Sequence, residues 1–579
     1  MESINSEIEK LLKQAGVAGQ IELSVPPKPE MGDLSFSCFN LAKEKNKNPI
    51  EIAQGLAVSL RGGADEAPTK QSHRFGNDTI ERVQAAGPYL NFFLKPSAVA
   101  AAIVPEILKL KNKYGQNKSG GGKQIIVEYP SNNTHKELHI GHLRNICIGN
   151  SLVKLFEANG HKVVPINYVN DFGAHVAKCL WGLQKFHATE TPPADKQKWL
   201  GEIYAEASRY LKEYEEAKTE VAEIQRRLEK DDKQIRPLFL KTRKWSLDRF
   251  AEVFKELGAK HKKTLFEKDI KQKGQKVVDA LLKKGLAKKG EGGAIIVDLS
   301  QYGLDIGLLR KSDGSGLYLT SDLGLALEKN KLFPKISESV HVTGNEQNFY
   351  FKQLFKVLEL AGYKFKMTHI GYGLINLPSG KISSRAGNAP LYDDVYKAVF
   401  DKALTETALR HRDWPKEKIE PAARNIAFAA LKFDLLKHES AKTIVFDPAS
   451  AVSFDGFTGP YVLYTVARIN SLMRKVKNEK LAAKSDWNLL RAPEEKHLAF
   501  FLGQFGEAIE KSMAGYNPSV IAKYAFDLAK LFNDFYNKRS VLSAETPALS
   551  RARLALSSAA KITLENALGL LSIETVDEM

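Results

Sequence analysis

The chain has 579 residues, 43% of them hydrophobic, and a formal net charge of +17. That length provides for roughly three to five domains, and no apolar run approaches the roughly 20 residues that a membrane helix requires. Cys38, Cys147 and Cys179 are isolated and form no CxxC pair, which argues against a disulfide frame or a zinc centre; the basic excess points to a polyanion such as nucleic acid or anionic lipid, with solvated lysine faces as the alternative.

The opening MESINSEIEKLLKQAG lacks the basic head and apolar core of a secretory signal, so a soluble, cytoplasmic protein that enters no membrane is expected. Ile4, Ile8, Leu11 and Leu12 lie on one face of a helix over 4–14. IELSV (21–25) reads as a strand, and VPPKPEMGD as a turn-rich loop. Residues 39–60 read as two helices broken near Asn48–Pro49, 61–78 as a polar loop, and GPYLNFFL (87–94) as a closing strand. The lysine-rich 109–123 reads as a linker. KQIIVEYP (123–130), a helix over about 138–159 and HKVVPINYV (161–169) then make a βαβ unit of a parallel sheet. Later strands are expected at GAIIVDLS (293–300), SVHVTGN (339–345) and MTHIGYGLI (367–375), around a charged helical insertion at about 190–290. From Asp393 onward nearly everything reads as amphipathic helix.

Within the βαβ unit, EYPSNNTHKELHIGHLRN (128–145) places His139, Gly141 and His142 where a helix opens after a strand. That is the crevice where nucleotides bind in open α/β sheets, and a helix N-terminus presents free N–H groups to phosphates. Two imidazoles three residues apart share a face and can donate to ATP phosphates, while Gly141 leaves the backbone open to a purine. A metal pair is disfavoured, because helical metal pairs favour i, i+4 spacing and no third ligand is evident. Downstream, LPSGKISSRAGN (377–388) fails the P-loop spacing, since Ile382 separates Lys381 from the first hydroxyl. It reads instead as a polar loop with one central lysine that closes over ATP.

HIGH followed far downstream by KISSR is the paired signature of class I aminoacyl-tRNA synthetases. PEMGDLSFSCFNLAK, GPYLNFFL, HKELHIGHLRN, YVNDFGAH, GLYLTSDLGLALEK, TGNEQNFYFKQLFKVLELAG, FDGFTGPYVLYTVARI and ENALGLLSIE resemble arginyl-tRNA synthetases over almost the whole chain. The resemblance implies an N-terminal α+β domain that binds the tRNA elbow (1–115) and a Rossmann-like parallel-sheet α/β catalytic domain (120–392, with the insertion). A helical connecting region (393–450) and an all-α anticodon-binding domain (451–579) follow. It implies an ATP-dependent arginine–tRNA ligase that uses Mg²⁺, with L-arginine and tRNA(Arg) as partners, acting as a monomer.

Carried over by motif, the resemblance implies catalysis by His139, His142, Lys136 and Lys381, and ATP binding by His139, Gly141, His142, Lys381 and Ser383. It implies arginine binding by Glu128, Asn133, Tyr318, Asp322 and Gln347, tRNA binding by an exposed Asn91 with Phe92 or Phe93 and by Tyr461 and Arg468, and no resident metal site. A guanidinium with five donors calls for carboxylates and a phenol, which Glu128, Asp322 and Tyr318 supply. Tyr461, Tyr464 and Arg468 share a helical face, and the lysines of 255–289 offer a further phosphate-binding surface. Departures from the family pattern are Ser384 for a lysine, compensated by Lys136, together with Ser321, Tyr350 and Asn132.

Overall fold

The computed structural model describes residues 1–60, 78–378, 390–476 and 485–579. At the start, four antiparallel strands lie in the order Leu23–Ser24, Leu34–Ser37, Tyr89–Leu94, Ile80–Ala86. Helix Glu2–Gln14 buries Ile4, Ile8 and Leu12 in the same core as Leu34, Phe36, Leu90 and Phe92. The two helices expected over 39–60 are Phe39–Lys45 and Pro49–Leu60. They part where Asn46 adopts a left-handed φ of 49° and Pro49, which lacks an N–H, starts the second helix.

The segment expected to be a linker is fastened to the C-terminal helices instead. Helix Pro96–Leu110 packs on helices Pro493–Leu502 and Pro547–Leu570. The Tyr114 hydroxyl donates to the Leu502 carbonyl at 2.9 Å, and the Asn117 amide donates to Glu510 at 3.0 Å and to Asn159, the C-cap of helix Ile140–Ala158, at 3.0 Å. Lysine-rich composition marked the exposed faces of this stretch and concealed the polar pins between them.

Five parallel strands form the central sheet in the order Lys366–Tyr372, Ile336–Gly344, Gln124–Glu128, Lys162–Val169, Lys263–Phe266. The chain enters at the middle strand, builds to one edge, and returns to build the other. A crevice therefore opens at the carboxyl ends of Gln124–Glu128 and Ile336–Gly344, where neighbouring connections diverge. Two expectations change here. Lys263–Phe266 lies inside the stretch read as all helical, because a short edge strand with two leading lysines lacks an apolar run. GAIIVDLS contributes Ile295–Val297 to a separate three-stranded antiparallel sheet with Lys288–Lys289 and Gly307–Arg310; an apolar run does not specify which sheet it joins.

Helix Glu267–Lys283 runs close along helix Tyr318–Leu332 because two glycines face each other. A Cβ on Gly274 would lie 2.0 Å from the Thr320 carbonyl oxygen, and one on Gly324 would lie 2.5 Å from the Gly274 nitrogen. This contact sets the distance between Glu267 and Asp322. Among the described residues from Tyr392 onward the regular structure is helical, except for Ile444–Val445, which pairs in parallel with Ile375–Asn376. Among the described residues no helix is long and apolar enough to cross a membrane.

Candidate active site at the sheet crevice

Helix Ile140–Ala158 begins at the crevice with His139 as its N-cap. His139 Nδ1 accepts the Gly141 N–H at 3.1 Å, and His142 Nδ1 accepts the His139 N–H at 3.1 Å. The ring centroids are 3.8 Å apart. With both Nδ1 atoms used as acceptors, the neutral tautomers carry their protons on Nε2. Burial, and then the charge of Lys136, pushes His139 down to about 4. Burial, His139 and Lys136 push His142 well below the usual imidazole range. Both rings are therefore uncharged donors at neutral pH. A Cβ on Gly141 would lie 2.9 Å from two atoms of the His139 ring, so the space the glycine leaves belongs to that imidazole.

Lys136 is partly buried, with Nζ 4.9 Å from the Tyr204 ring centroid. Lys381, Ser383 and Ser384 lie in 379–389, outside the described residues. The chain beyond that segment returns directly to the histidines: Ile140 N–H donates to the Pro390 carbonyl at 2.9 Å, and Tyr392 N–H to the Leu138 carbonyl at 2.9 Å. The chain before it is tied to the same helix by Arg144, a residue sequence reading did not single out. This fully buried guanidinium donates to the carbonyls of Gly373 at 2.7 Å and Lys442 at 2.9 Å.

Beside the histidines lies an acidic pocket. The Tyr350 hydroxyl donates to Asp322 Oδ2, so the tyrosine in place of the family's common histidine serves a carboxylate. Burial raises Asp322 to about 7; the Tyr350 hydrogen bond opposes this and the charge of Glu128 adds to it. Glu267 is likewise raised to about 7 by burial and by Asp171 and Asp322, with the Ser321 hydroxyl hydrogen-bonded to it. The buried Tyr168 hydroxyl has no hydrogen-bond partner among the described residues and lies in the field of Asp322, Glu267 and Glu128. Lys271 acts on Glu267 and Lys329 on Asp322, yet burial outweighs both, so two raised carboxyls and an unpartnered phenol share one pocket. Glu267 was missed in the sequence because it opens a helix 55 positions before Asp322 and belongs to no motif.

Glu128 is buried at the end of the middle strand, but it is not a free carboxylate: Lys329 donates to Oε2 at 2.9 Å. Tyr318 opens helix Tyr318–Leu332 and is 74% exposed, one turn before Asp322. Asn133 bridges to Asn170 at the carboxyl end of the sheet, and Gln347 closes the 3₁₀ turn Asn345–Gln347 that follows strand Ile336–Gly344. Glu128, Asn133, Asp322 and Gln347 thus converge on the crevice, with Tyr318 at its rim. Among the described residues no group of three or more His, Cys, Asp or Glu is placed to hold a metal ion.

The candidate tRNA contacts divide. Asn91 and Phe92 are buried, which corrects the expected exposure. Strand Tyr89–Leu94 is an inner strand covered on both faces, so alternation exposes neither side. Phe93 is buried too, with the Arg82 guanidinium 3.6 Å from its centroid. The rings that are exposed there are Tyr89 and Phe39, edge to face at 6.0 Å. On helix Gly459–Arg474, Arg468 donates to Asn533 Oδ1 at 2.6 Å and lies 4.9 Å from the Tyr464 centroid. The Asn533 amide donates to the Tyr461 hydroxyl at 3.0 Å. Of the 255–289 lysines, Lys271, Lys273 and Lys288 are paired with Glu229, Glu328 and Asp298, while Lys260, Lys262 and Lys263 are exposed.

Three family models match the chain: the arginyl tRNA synthetase N terminal domain over 1–94, the catalytic domain of tRNA synthetases class I (R) over 103–448, and the DALR anticodon binding domain over 462–579. The arginine–tRNA ligase of Treponema denticola is 35% identical over 572 residues, covering 97% of this chain and 95% of the relative. That of Clostridium perfringens is 34% identical over 564 residues, covering 96% of each. The Thermus thermophilus arginyl-tRNA synthetase structure aligns over 100% of both chains, with a TM-score of 0.80 and 27% identity. The Plasmodium falciparum arginyl-tRNA synthetase, at 17% identity, shares the fold with a TM-score of 0.77 over 100% of this chain and 99% of that one.

Proposed function

The chain belongs to the arginyl-tRNA synthetases and acts as an arginine–tRNA ligase, and from that premise we propose how its own side chains divide the work. The guanidinium of arginine enters between Asp322 and Glu267 and takes hydrogen bonds into the Tyr168 hydroxyl oxygen, while Tyr318 closes over it from the rim. Asn133, Gln347 and Glu128 hold the α-amino end. Arginine fits this forked set of acceptors; the compact ammonium of lysine leaves part of it unpaired.

ATP lies at the N-terminus of helix Ile140–Ala158, with Nε2–H of His139 and His142 on its phosphates. The arginine carboxylate attacks the α-phosphorus, the bond to the bridging oxygen breaks, and pyrophosphate leaves with Mg²⁺, which arrives as part of the nucleotide substrate. Charge that develops on the phosphates is met by the two imidazoles, Lys136 and, from the KISSR segment, Lys381 and Ser383. The 2′-hydroxyl of the terminal adenosine of tRNA(Arg) then attacks the arginyl carbonyl and AMP departs. Tyr461 and Arg468 face the anticodon, and the exposed Tyr89 takes the stacking role expected of Phe92 beside Asn91. Every group in this scheme comes from one chain, so a cytoplasmic monomer suffices.

The observation that carries the reading is the pair of buried, raised carboxyls with an unpartnered phenol, near two neutral histidines that cap the helix at the crevice. ATP–pyrophosphate exchange with each of the twenty amino acids, with and without tRNA, tests it. Exchange is expected with arginine alone and only when tRNA is present. Exchange with another amino acid, or none with arginine, would overturn the pocket assignment.

A further inference from the structure

One carboxylate of the crevice is occupied from inside the protein. Lys329 is 1% exposed, and its ammonium donates to Glu128 Oε2 at 2.9 Å and Ser339 Oγ at 3.1 Å, with His341 Nε2 at 3.4 Å. His341 Nδ1 lies 3.6 Å from the other Glu128 oxygen. Lys329 follows Asp322 by seven residues, two turns along the same face of helix Tyr318–Leu332. One helix thus carries both the carboxylate left open and the ammonium that fills its neighbour.

We propose that Lys329 is a positioning residue for amino-acid recognition: with Ser339 and His341 it keeps Glu128 ionised and oriented, and it leaves Asp322 and Glu267 as the carboxylates open to the guanidinium. The proposal rests on the reading of Glu128 as part of the arginine pocket. Removing the lysine has a defined electrostatic result. Burial alone drives Glu128 toward its neutral form, and Lys329 with His341 overcomes this and holds it at about 2. Burial and Lys329 depress His341, so the positive charge of the group is the lysine's. The other titratable groups facing this cluster are Asp322, Tyr350, Tyr168 and His369; burial, and then the charges of Asp322 and Glu128, push both tyrosines further from ionisation, while burial and His341 depress His369. Without Lys329, burial shifts Glu128 toward its protonated form, with His341 alone left to oppose it, and rising pH favours the charged form again.

The test measures arginine and ATP KM by exchange in the presence of tRNA between pH 6 and 9, on Lys329→Met, Glu128→Gln and the double variant. Lys329→Met should raise arginine KM at least about tenfold at pH 7 and leave ATP KM unchanged. The deficit should shrink toward pH 9. Lys329→Arg should restore most of the loss. Glu128→Gln should raise arginine KM with no recovery in alkali, and adding Lys329→Met to it should change KM by no more than about twofold. An unchanged arginine KM in Glu128→Gln would remove Glu128 from the pocket, and the proposal with it. A raised KM there, combined with a Lys329→Met effect that is absent, independent of pH or fully additive, would overturn the positioning role alone. If Lys329→Met does not fold, Ser339→Ala, which removes one of the lysine's acceptors, should show a smaller rise with the same pH dependence; its absence would equally overturn the role.

Discussion

At the scale of single residues, the role proposed for Asp322 predicts a pH response of arginine recognition. Its carboxyl is raised to about 7, chiefly by burial, while the guanidinium stays cationic throughout. Binding requires the ionised form, so arginine KM should fall as pH rises to about 7 and level off above it. Without arginine the same shift works against the fold: a carboxyl whose folded value exceeds its unfolded value destabilises once ionised, and that penalty fades as pH falls from about 7 toward 4. Asp322→Asn keeps an acceptor for the Tyr350 hydroxyl and removes the charge. At pH 8 it should raise the melting temperature of the substrate-free enzyme and raise arginine KM about 100-fold or more. Melting curves and exchange kinetics on one preparation check both, and an unchanged KM removes Asp322 from the pocket. Asp322 was legible from its motif. Glu267 and Lys329 were not, because what gives each its role is a neighbour 55 or 201 positions away.

At the scale of elements, the placement of His139 and His142, proposed to act on the phosphates, depends on how their helix begins. Each imidazole uses Nδ1 to cap the backbone, and Gly141 makes room for the His139 ring. Gly141→Ala inserts a methyl that the ring can avoid only by turning away, which breaks the cap and moves Nε2 off the phosphates. Arginine KM should stay within about twofold while kcat for exchange falls about 10- to 100-fold, since a misplacement of about 1 Å can cost that much. The lost cap contributes only about 1 kcal/mol to stability. Rapid-quench measurement of adenylate formation decides the matter; normal kcat would show that the ring position is not critical. The sequence placed this helix within two residues, because a strand, a polar loop and a long apolar-faced run follow one another there. It did not place Lys263–Phe266 in the sheet, since an edge strand of four residues has too little periodicity to distinguish it from the charged helices around it.

At the scale of the whole molecule, helix Pro547–Leu570 is tied to helix Ile140–Ala158, and the residues after it are tied to helices Lys416–Leu436 and Gly459–Arg474. Lys154, on helix Ile140–Ala158, donates to the Gly569 carbonyl at 2.8 Å, and the buried Lys432 donates to the Ser572 carbonyl at 2.7 Å. Asn470 and Arg474 donate to the carbonyls of Val576 and Asp577, and Ile573 and Val576 are buried. Deleting residues 572–579 exposes the surface these side chains cover and leaves the Lys432 ammonium buried without its acceptor. The loss should be about 3 kcal/mol or more, read as a melting temperature lower by several degrees. Exchange activity should fall too, because helix Lys416–Leu436, which carries Lys432, packs directly on helix Ile140–Ala158. A truncated enzyme with full activity and an unchanged melt would make the tail peripheral.

The sequence by itself determined the order of the domains, the parallel sheet, the crevice between its middle strands, and the four motif residues Glu128, Asn133, Asp322 and Gln347 that meet there. Hydrophobic period, glycine and proline punctuation, and short motifs are local signals, and these features are local. Tertiary structure alone decided that Asn91 and Phe92 are covered, that Glu128 already has a cation, that Glu267 joins Asp322, and that a supposed linker and the chain's last turn hold the catalytic helix in place. Burial and electrostatic partnership depend on what packs against a residue from distant parts of the chain, and no window of sequence contains both halves of such a contact.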